Sequence, residues 1–171
     1  SLLTADIRGG MDKPGLLGLG DEIKGVTFVP LEVTTDDASL IDGVYDYAVT
    51  DRYIYVLPVK EPRIVLFDRQ GRFIRTLVKE GQGPGEFRGI LPCIQVDERN
   101  DRLFLFSNNR VWEYTLEGEF IGQSTHEYSV IYMRHIGKDR FAAISFPFQP
   151  FNGGGFGLGL FSRKGDTIAI K

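Results

Sequence analysis

The sequence predicts an all-β fold built from repeated units of four antiparallel strands. The chain contains 13 Phe, 7 Tyr and 21 Gly in 171 residues. Aromatic residues favour strands and glycine favours the turns between them. A short motif recurs three times at an interval of 47 residues. Because four strands in about 40–50 residues are typical of a β-propeller blade, we expect a partial β-propeller with about three blades.

The repeat consists of an aromatic residue, a turn glycine and an isoleucine in fixed positions. A second echo is in phase with it, because an Asp-Arg pair at 51–52, 101–102 and 139–140 precedes an apolar strand each time. The glycine of the first motif is expected in a tight hairpin, where a residue must adopt a positive φ. The equivalent residues are Phe67, Tyr114 and Phe161, then Gly71, Gly118 and Gly165, then Ile74, Ile121 and Ile168.

Four strands are predicted in each unit, at about 44–49, 53–57, 63–68 and 72–78 in the first. They are predicted at 94–97, 103–106, 110–114 and 119–123 in the second, and at 130–136, 141–146, 157–162 and 167–170 in the third. Residues 1–24, interrupted by five glycines, predict a flexible N-terminal arm with at most one helical turn at 17–23. Residues 25–33 predict an extra strand, so the partial propeller spans 25–171, with blades at about 43–78, 92–124 and 130–171.

Three blades do not close a ring, because known propellers have roughly four to eight. The two outer blades would leave unpaired edges and apolar faces, which favour further pairing. Two arrangements satisfy this requirement. Either these residues belong to a longer chain, or several copies complete the ring by self-association through the open blade edges.

Composition excludes several classes of protein. A net charge of −3 and a pI near 5.4 argue against a nucleic-acid partner, since such proteins usually have a basic surface. No run of 18 apolar residues occurs, so no transmembrane segment is predicted. The single cysteine, Cys93, excludes an intrachain disulfide and begins an apolar strand, where we expect a buried side chain rather than a nucleophile.

Three short stretches resemble a known family. Residues 67–75 read FDRQGRFIR and residues 81–87 read GQGPGEF, while 29–32 read VPLE. Together they resemble the NHL-like six-bladed β-propeller family of exported Bacteroidales proteins, over residues 25–171. The resemblance implies a six-bladed ring, export to the periplasm or the cell surface, and a binding role without catalysis. Six blades at this period would need about 280 residues, more than this chain has.

The long connections are predicted to lie on one face of the blades, at 58–62, 79–91, 124–129 and 147–156. Long loops on a rigid scaffold often carry binding sites. The glycine-rich loop 81–86 could hold an anion on its backbone N–H groups, or could be only a shaped turn. The insertion at 147–156 could pack its aromatic residues on a neighbouring blade or present them to a ligand. The predicted ligand- or partner-binding residues are Lys79, Gln82, Glu86, His126, Phe148, Phe151 and Asn152.

Catalytic and metal-binding motifs are absent from the sequence. His126 and His135 have no third ligand at a metal-binding spacing, and no Gly-x-Ser-x-Gly motif occurs. We therefore expect no cofactor, no metal and no catalytic residue. The predicted function is a non-catalytic binding module that recognises a glycan, peptide or protein through the long-loop face. The alternative is a metal-dependent propeller enzyme of the lyase or lactonase type.

Overall fold

The structure, a computed structural model, describes residues 25–83, 85–88, 93–126, 130–137, 139–145 and 157–170. In these residues the chain forms three separate four-stranded sheets, and each strand pairs antiparallel with its neighbours in chain order. The prediction of three units with four antiparallel strands each is therefore confirmed. None of the three sheets closes on itself.

The strands lie within one or two residues of the predicted positions. A 3₁₀ turn, Glu98–Asn100, lies between the fifth and sixth strands. The first sheet contains β1 (Val44–Val49), β2 (Tyr53–Pro58), β3 (Arg63–Asp68) and β4 (Phe73–Lys79). The second contains β5 (Cys93–Asp97), β6 (Arg102–Ser107), β7 (Arg110–Tyr114) and β8 (Phe120–Thr125). The third contains β9 (Val130–His135), β10 (Arg140–Ser145), β11 (Gly157–Ser162) and β12 (Thr167–Ile170).

Both sequence echoes have a backbone cause. Gly71, Gly118 and Gly165 have φ angles of 84°, 89° and 101° in the turns between the third and fourth strands of their sheets, a conformation that favours glycine. Asp101 and Asp139, from the Asp-Arg echo, have φ angles of 55° and 56°, which aspartate tolerates better than most residues. The glycine echo therefore marks a left-handed turn in all three sheets, and the Asp-Arg echo marks one in the second and third sheets, since Asp51 has no positive φ.

The sheets stack face to face in chain order. Alternate residues of β6 point to opposite sides, so Leu105 packs towards the first sheet and Phe104 towards the third. Trp112 is buried in the cluster between the first and second sheets. The cluster between the second and third sheets contains Phe104, Phe106, Val111, Met133, Phe141, Ala143 and Phe161.

The first strands of consecutive sheets lie side by side. A carboxylate oxygen of Asp46 in β1 accepts a hydrogen bond from the backbone N–H of Ile94 in β5, at 2.8 Å. The side-chain amide of Gln95 in β5 bonds both the backbone N–H and the backbone carbonyl of His135 in β9. These side chains join strands that share no ladder of backbone hydrogen bonds.

The turn before each fourth strand rests on the element that precedes its sheet. The absent side chain of each turn glycine leaves room for a backbone carbonyl there. A Cβ on Gly118 would lie 3.1 Å from the carbonyl oxygen of Leu77, and one on Gly71 or Gly165 would overlap that of Pro30 or Thr125. The turn glycine therefore has a packing role as well as a conformational one.

Residues 25–43 cover the first sheet on the side away from the second. Leu31 and Ile41 pack against Val56, Val65 and Phe67. The strand predicted at 25–33 is wrong, because no strand is described there: residue 30 is a proline without an N–H, and the backbone N–H of residue 32 makes one bond, to Gly71, at 2.8 Å. The flexible arm and helical turn predicted within 1–24 lie outside the described residues.

Candidate functional site

A cleft of about 600 Å³ lies between the second and third sheets, where β8 faces the β11–β12 turn. We call it the outer cleft. Its apolar lining comes from Val111, Ile121 and Phe141, and its polar lining includes Glu113, Arg163 and Lys164. This volume falls in the range of small-molecule and peptide-anchor pockets.

The corresponding place between the first and second sheets is filled. Val78 of β4 pairs with Ile64 and is buried in the shared core. Leu116, two residues before the turn glycine of the second sheet, is buried in the same core. Arg75 of β4 forms an ion pair with Glu117 across the boundary. Two apolar side chains and one ion pair therefore close the rim of this boundary.

The equivalent positions at the second boundary carry smaller or polar residues. Ser124 pairs with Val111 as Val78 pairs with Ile64, and no residue of β8 joins the second core cluster. Gly122 stands in the position of Arg75, and a Cβ there would meet nothing within 4 Å. Arg163 and Lys164 replace the leucine and glutamate of the preceding turn. The outer cleft is the space that these replacements leave.

A buried carboxylate lies at the inner wall of the outer cleft. Glu113, whose side chain is 9% exposed, pairs with Arg102 at 2.6 Å and with Arg163. Arg163 also pairs with Asp139, at 3.3 Å. Burial alone would lower the pKa of the Arg163 guanidinium, but the hydrogen bonds and charge of Glu113 outweigh it and raise that pKa. These charges hold the second and third sheets together.

Lys164 differs from these neighbours. Its side chain is exposed, and within the described ranges no carboxylate lies at ion-pair distance from its ammonium group. Its counterpart in the second sheet, Glu117, is paired with Arg75. The outer cleft therefore has a cation on its rim that is available to a ligand.

A second polar site lies where β5 and β9 end. The Nδ1 atom of His135 is 3.5 Å from a carboxylate oxygen of Asp97, beside a cleft of about 550 Å³ that Thr50 and Asn100 also line. A carboxylate next to an imidazole can orient the ring by accepting a hydrogen bond from it. Among the residues that the structure describes, no group of three His, Cys, Asp or Glu side chains is placed to hold a metal ion.

The predicted loop residues are not brought together with the outer cleft. Lys79 and Gln82 are exposed at and after the end of β4. Glu86 folds back into its own loop, where its carboxylate accepts a hydrogen bond from the N–H of Gly83 at 2.7 Å. Phe148, Phe151 and Asn152 lie outside the described residues, as does the whole of the 147–156 insertion. That these residues bind a partner remains a prediction.

His126 is buried in the second core rather than exposed on a loop. Its ring lies edge to face with Phe141 and Phe161, at centroid distances of 6.2 and 5.3 Å. Neither ring nitrogen has a hydrogen-bond partner among the described residues, and burial lowers the pKa of the imidazole. Its backbone N–H bonds the carbonyl of Asn109 at 2.7 Å, which fixes the end of β8.

The lone thiol is not activated. Cys93 begins β5, as predicted, and is half-buried. Burial and, to a smaller extent, the charge of Asp46 raise the pKa of its thiol. A raised pKa keeps the sulfur in the protonated, weakly nucleophilic form at neutral pH.

Two solved structures share the arrangement of the chain. One is a "putative exported protein" of Bacteroides fragilis, with a TM-score of 0.67 and 18% identity over 82% of this chain and 40% of that one. The other is a functionally unknown protein from Desulfotomaculum acetoxidans, with a TM-score of 0.52 and 11% identity over 81% of this chain and 48% of that one. At these identities the likeness concerns the fold, and the chain spans less than half the length of either structure.

No curated protein matches the chain, and no helix in the described ranges is long and apolar enough to cross a membrane. The resemblance to the NHL-like six-bladed propeller family is wrong, because a different family matches almost the whole chain. The motifs that suggested the resemblance reflect local backbone geometry, which unrelated sheets can share. They form a left-handed turn at Gly71 and a loop closed by the side chain of Glu86. The matching family is described as a domain of unknown function, and its match covers residues 2–171. The chain belongs to this family, DUF4934.

Proposed function

We propose that this chain is a non-catalytic binding module and that the outer cleft is its binding site. One observation carries the proposal. Two boundaries of the same repeat are built alike, yet only the second replaces Val78 and Arg75 of β4 by the small residues Ser124 and Gly122 of β8. Ligand sites are usually clefts built on a rigid scaffold, and these replacements open such a cleft at the second boundary alone.

We also propose that the three sheets are successive blades of a β-propeller that further sheets complete. The adjacent first strands and the face-to-face cores support a radial arrangement. On the outer side of the third sheet, Tyr132, Ile144 and Leu158 are 41%, 41% and 59% exposed. Apolar faces of this kind are usually covered, and another sheet of the repeat would cover this one.

Export is the localisation that the comparisons favour. The Bacteroides fragilis protein with the same arrangement is named as exported, and the low cysteine content is compatible with that location. We therefore propose that the domain works in the periplasm or at the cell surface.

The binding proposal is tested by screening the purified chain against glycan and peptide arrays, in parallel with a Gly122→Leu variant. A Cβ at residue 122 meets nothing within 4 Å, so the new side chain is expected to fill the cleft without disturbing the fold. Ligands of the outer cleft should bind the unmodified chain and not the variant. A ligand set that is identical for both proteins would contradict the assignment of the site.

A metal-dependent enzyme is the second candidate, and the Asp97–His135 pair is the observation that favours it. Metal analysis of the purified chain decides between the two. Stoichiometric zinc or calcium that is lost in a His135→Ala variant would support the enzyme, whereas a binding module needs neither.

A further inference from the structure

We infer that the outer cleft binds an extended peptide that presents an aliphatic side chain and a carboxylate on one side of its backbone. This inference rests on the proposed binding function and names the class of ligand. Three features of the cleft carry it: its shape, its charge and its open strand edge.

The shape is that of a missing aliphatic side chain. At the first boundary Val78 of β4 is 6% exposed and packs in the core. At the second boundary Ser124 has the same pairing position but contributes nothing to the core. The apolar lining of the cleft consists of Ile121, which is 40% exposed, and the buried side chains of Val111 and Phe141. A branched aliphatic side chain from a ligand would replace the missing contact, and its burial would favour binding.

The unpaired positive charge in the lining of the cleft favours a ligand carboxylate. At the first boundary Glu117 meets the guanidinium of Arg75. Lys164, at the position of Glu117, lines the cleft together with Gly122, which has no side chain to pair with it. The other cation of the cleft, Arg163, is already paired with Glu113 and Asp139. A ligand carboxylate near residue 122 would give Lys164 the partner that its counterpart has.

The strand edge supplies backbone hydrogen bonds. In the described part of the chain, β8 pairs with β7 alone. The N–H of His126 bonds to Asn109 on the β7 side, so the alternation of an antiparallel ladder turns the peptide groups of Ile121 and Gln123 outward. The carbonyl of Thr125 lies against the turn at Gly165. Adding a strand at such an edge is a common mode of peptide recognition. No charged residue of β8 blocks it, since its sequence is FIGQST.

A peptide fits these features better than a sugar does. Sugar rings usually stack on exposed aromatic rings, and the aromatic residue in the lining, Phe141, is fully buried. In an extended chain, residues two apart point to the same side. The matching ligand therefore has an acidic residue two positions from an aliphatic one.

The test uses the hexapeptide acetyl-Thr-Glu-Thr-Leu-Thr-Thr-amide and two relatives, with Lys in place of Glu and with Ser in place of Leu. Binding is measured by calorimetry and by amide chemical shifts. The first peptide should shift the amides of β8 and bind about fivefold more tightly than the Lys peptide, as a partly exposed ion pair of about 1 kcal/mol predicts. The Ser peptide should bind at least about tenfold more weakly than the first.

Three protein variants locate the site. Gly122→Leu should abolish binding, and Lys164→Glu should reverse the preference between the Glu and Lys peptides. Thr76→Leu, which adds the same side chain to the exposed outer strand of the first sheet, should bind like the unmodified chain and serves as the matched control. Thermal unfolding of each variant verifies that it is folded.

The outcomes separate the ligand class from the proposed function. If the peptides do not bind while a glycan binds and Gly122→Leu abolishes that binding, the peptide inference is overturned and the binding function stands. If the peptides bind equally well to Gly122→Leu, the inference is overturned because they bind elsewhere. If neither ligand class binds the unmodified chain, both the inference and the proposed function fail.

Discussion

Alanine in place of single turn glycines should separate the cost of a left-handed backbone from the cost of breaking the contact between sheets. Gly137, Gly118 and Gly165 all have positive φ, but their surroundings differ. A Cβ on Gly137 would meet nothing within 4 Å, one on Gly118 would lie 3.1 Å from the carbonyl oxygen of Leu77, and one on Gly165 would overlap the carbonyl of Thr125.

The expected losses of unfolding free energy increase in that order. Left-handed backbone costs a non-glycine residue about 1–2 kcal/mol, while the less flexible unfolded chain returns about 0.4–1 kcal/mol. Gly137→Ala should therefore cost about 1 kcal/mol. Gly118→Ala adds a tight contact that a small shift relieves, for a total of about 1.5–2 kcal/mol. Gly165→Ala forces backbone apart, and overpacking of about 1–3 kcal/mol brings its total to about 3 kcal/mol.

Urea unfolding followed by the fluorescence of Trp112, the single tryptophan, measures these differences. In a chain of this length each kcal/mol corresponds to about 2–4 °C in Tm, so thermal scans give an independent check. Equal losses for Gly137→Ala and Gly165→Ala would refute the reasoning, because the β11–β12 turn could not then be pressed against β8.

Three further predictions concern polar groups at the second boundary. Burial lowers the pKa of His126 in the folded chain. Below about pH 6.5 the unfolded chain therefore takes up a proton before the folded chain does, and the free energy of unfolding should fall by up to about 1.4 kcal/mol per pH unit. His126→Phe should lose this pH dependence in urea titrations at pH 7.5 and 5.5, and an unchanged pH dependence would contradict the reasoning. Glu113→Gln should lower the free energy of unfolding by about 1–2 kcal/mol at pH 7, since its arginine partners are about one-third exposed and water compensates part of the lost interaction. The double variant Glu113→Leu with Arg163→Leu should lose less stability in the same unfolding assay. Gln95→Ala removes two hydrogen bonds to the backbone of His135 and should cost about 1–2 kcal/mol, with faster amide exchange at residue 135 as the site-specific sign.

The strand positions could be predicted because they depend on local signals. Turn glycines such as Gly71 and apolar runs lie within a few residues of the strands they delimit, so the spacing of 47 residues was sufficient to place most of them. The segment 25–33 looked like a strand by the same criteria. What it lacks is a pairing partner, and its only backbone bond in the described residues is to Gly71; local sequence does not report this.

The outer cleft could not be predicted because a β-bulge shifts the repeat. The register of β4 slips between Ile64 and Val65, so Val78 takes the pairing position of Ser124, which lies 46 residues later rather than 47. In an alignment of the repeats by sequence, Ser124 is paired with Leu77 rather than with Val78. The replacement of a buried valine by serine is therefore not visible in the sequence. The Asp97–His135 pair was missed for a related reason, since the stacking of two sheets, not sequence spacing, brings these residues together.

The way each turn rests on the element before it gives the array a direction. Gly71 lies against Pro30, Gly118 against Leu77 and the third turn glycine against β8, so each contact points back towards the N-terminus. During synthesis, which proceeds from that end, each new sheet therefore meets a surface that is already complete. A defect in one sheet should therefore impair the folding of the sheets made after it more than that of the sheets made before it.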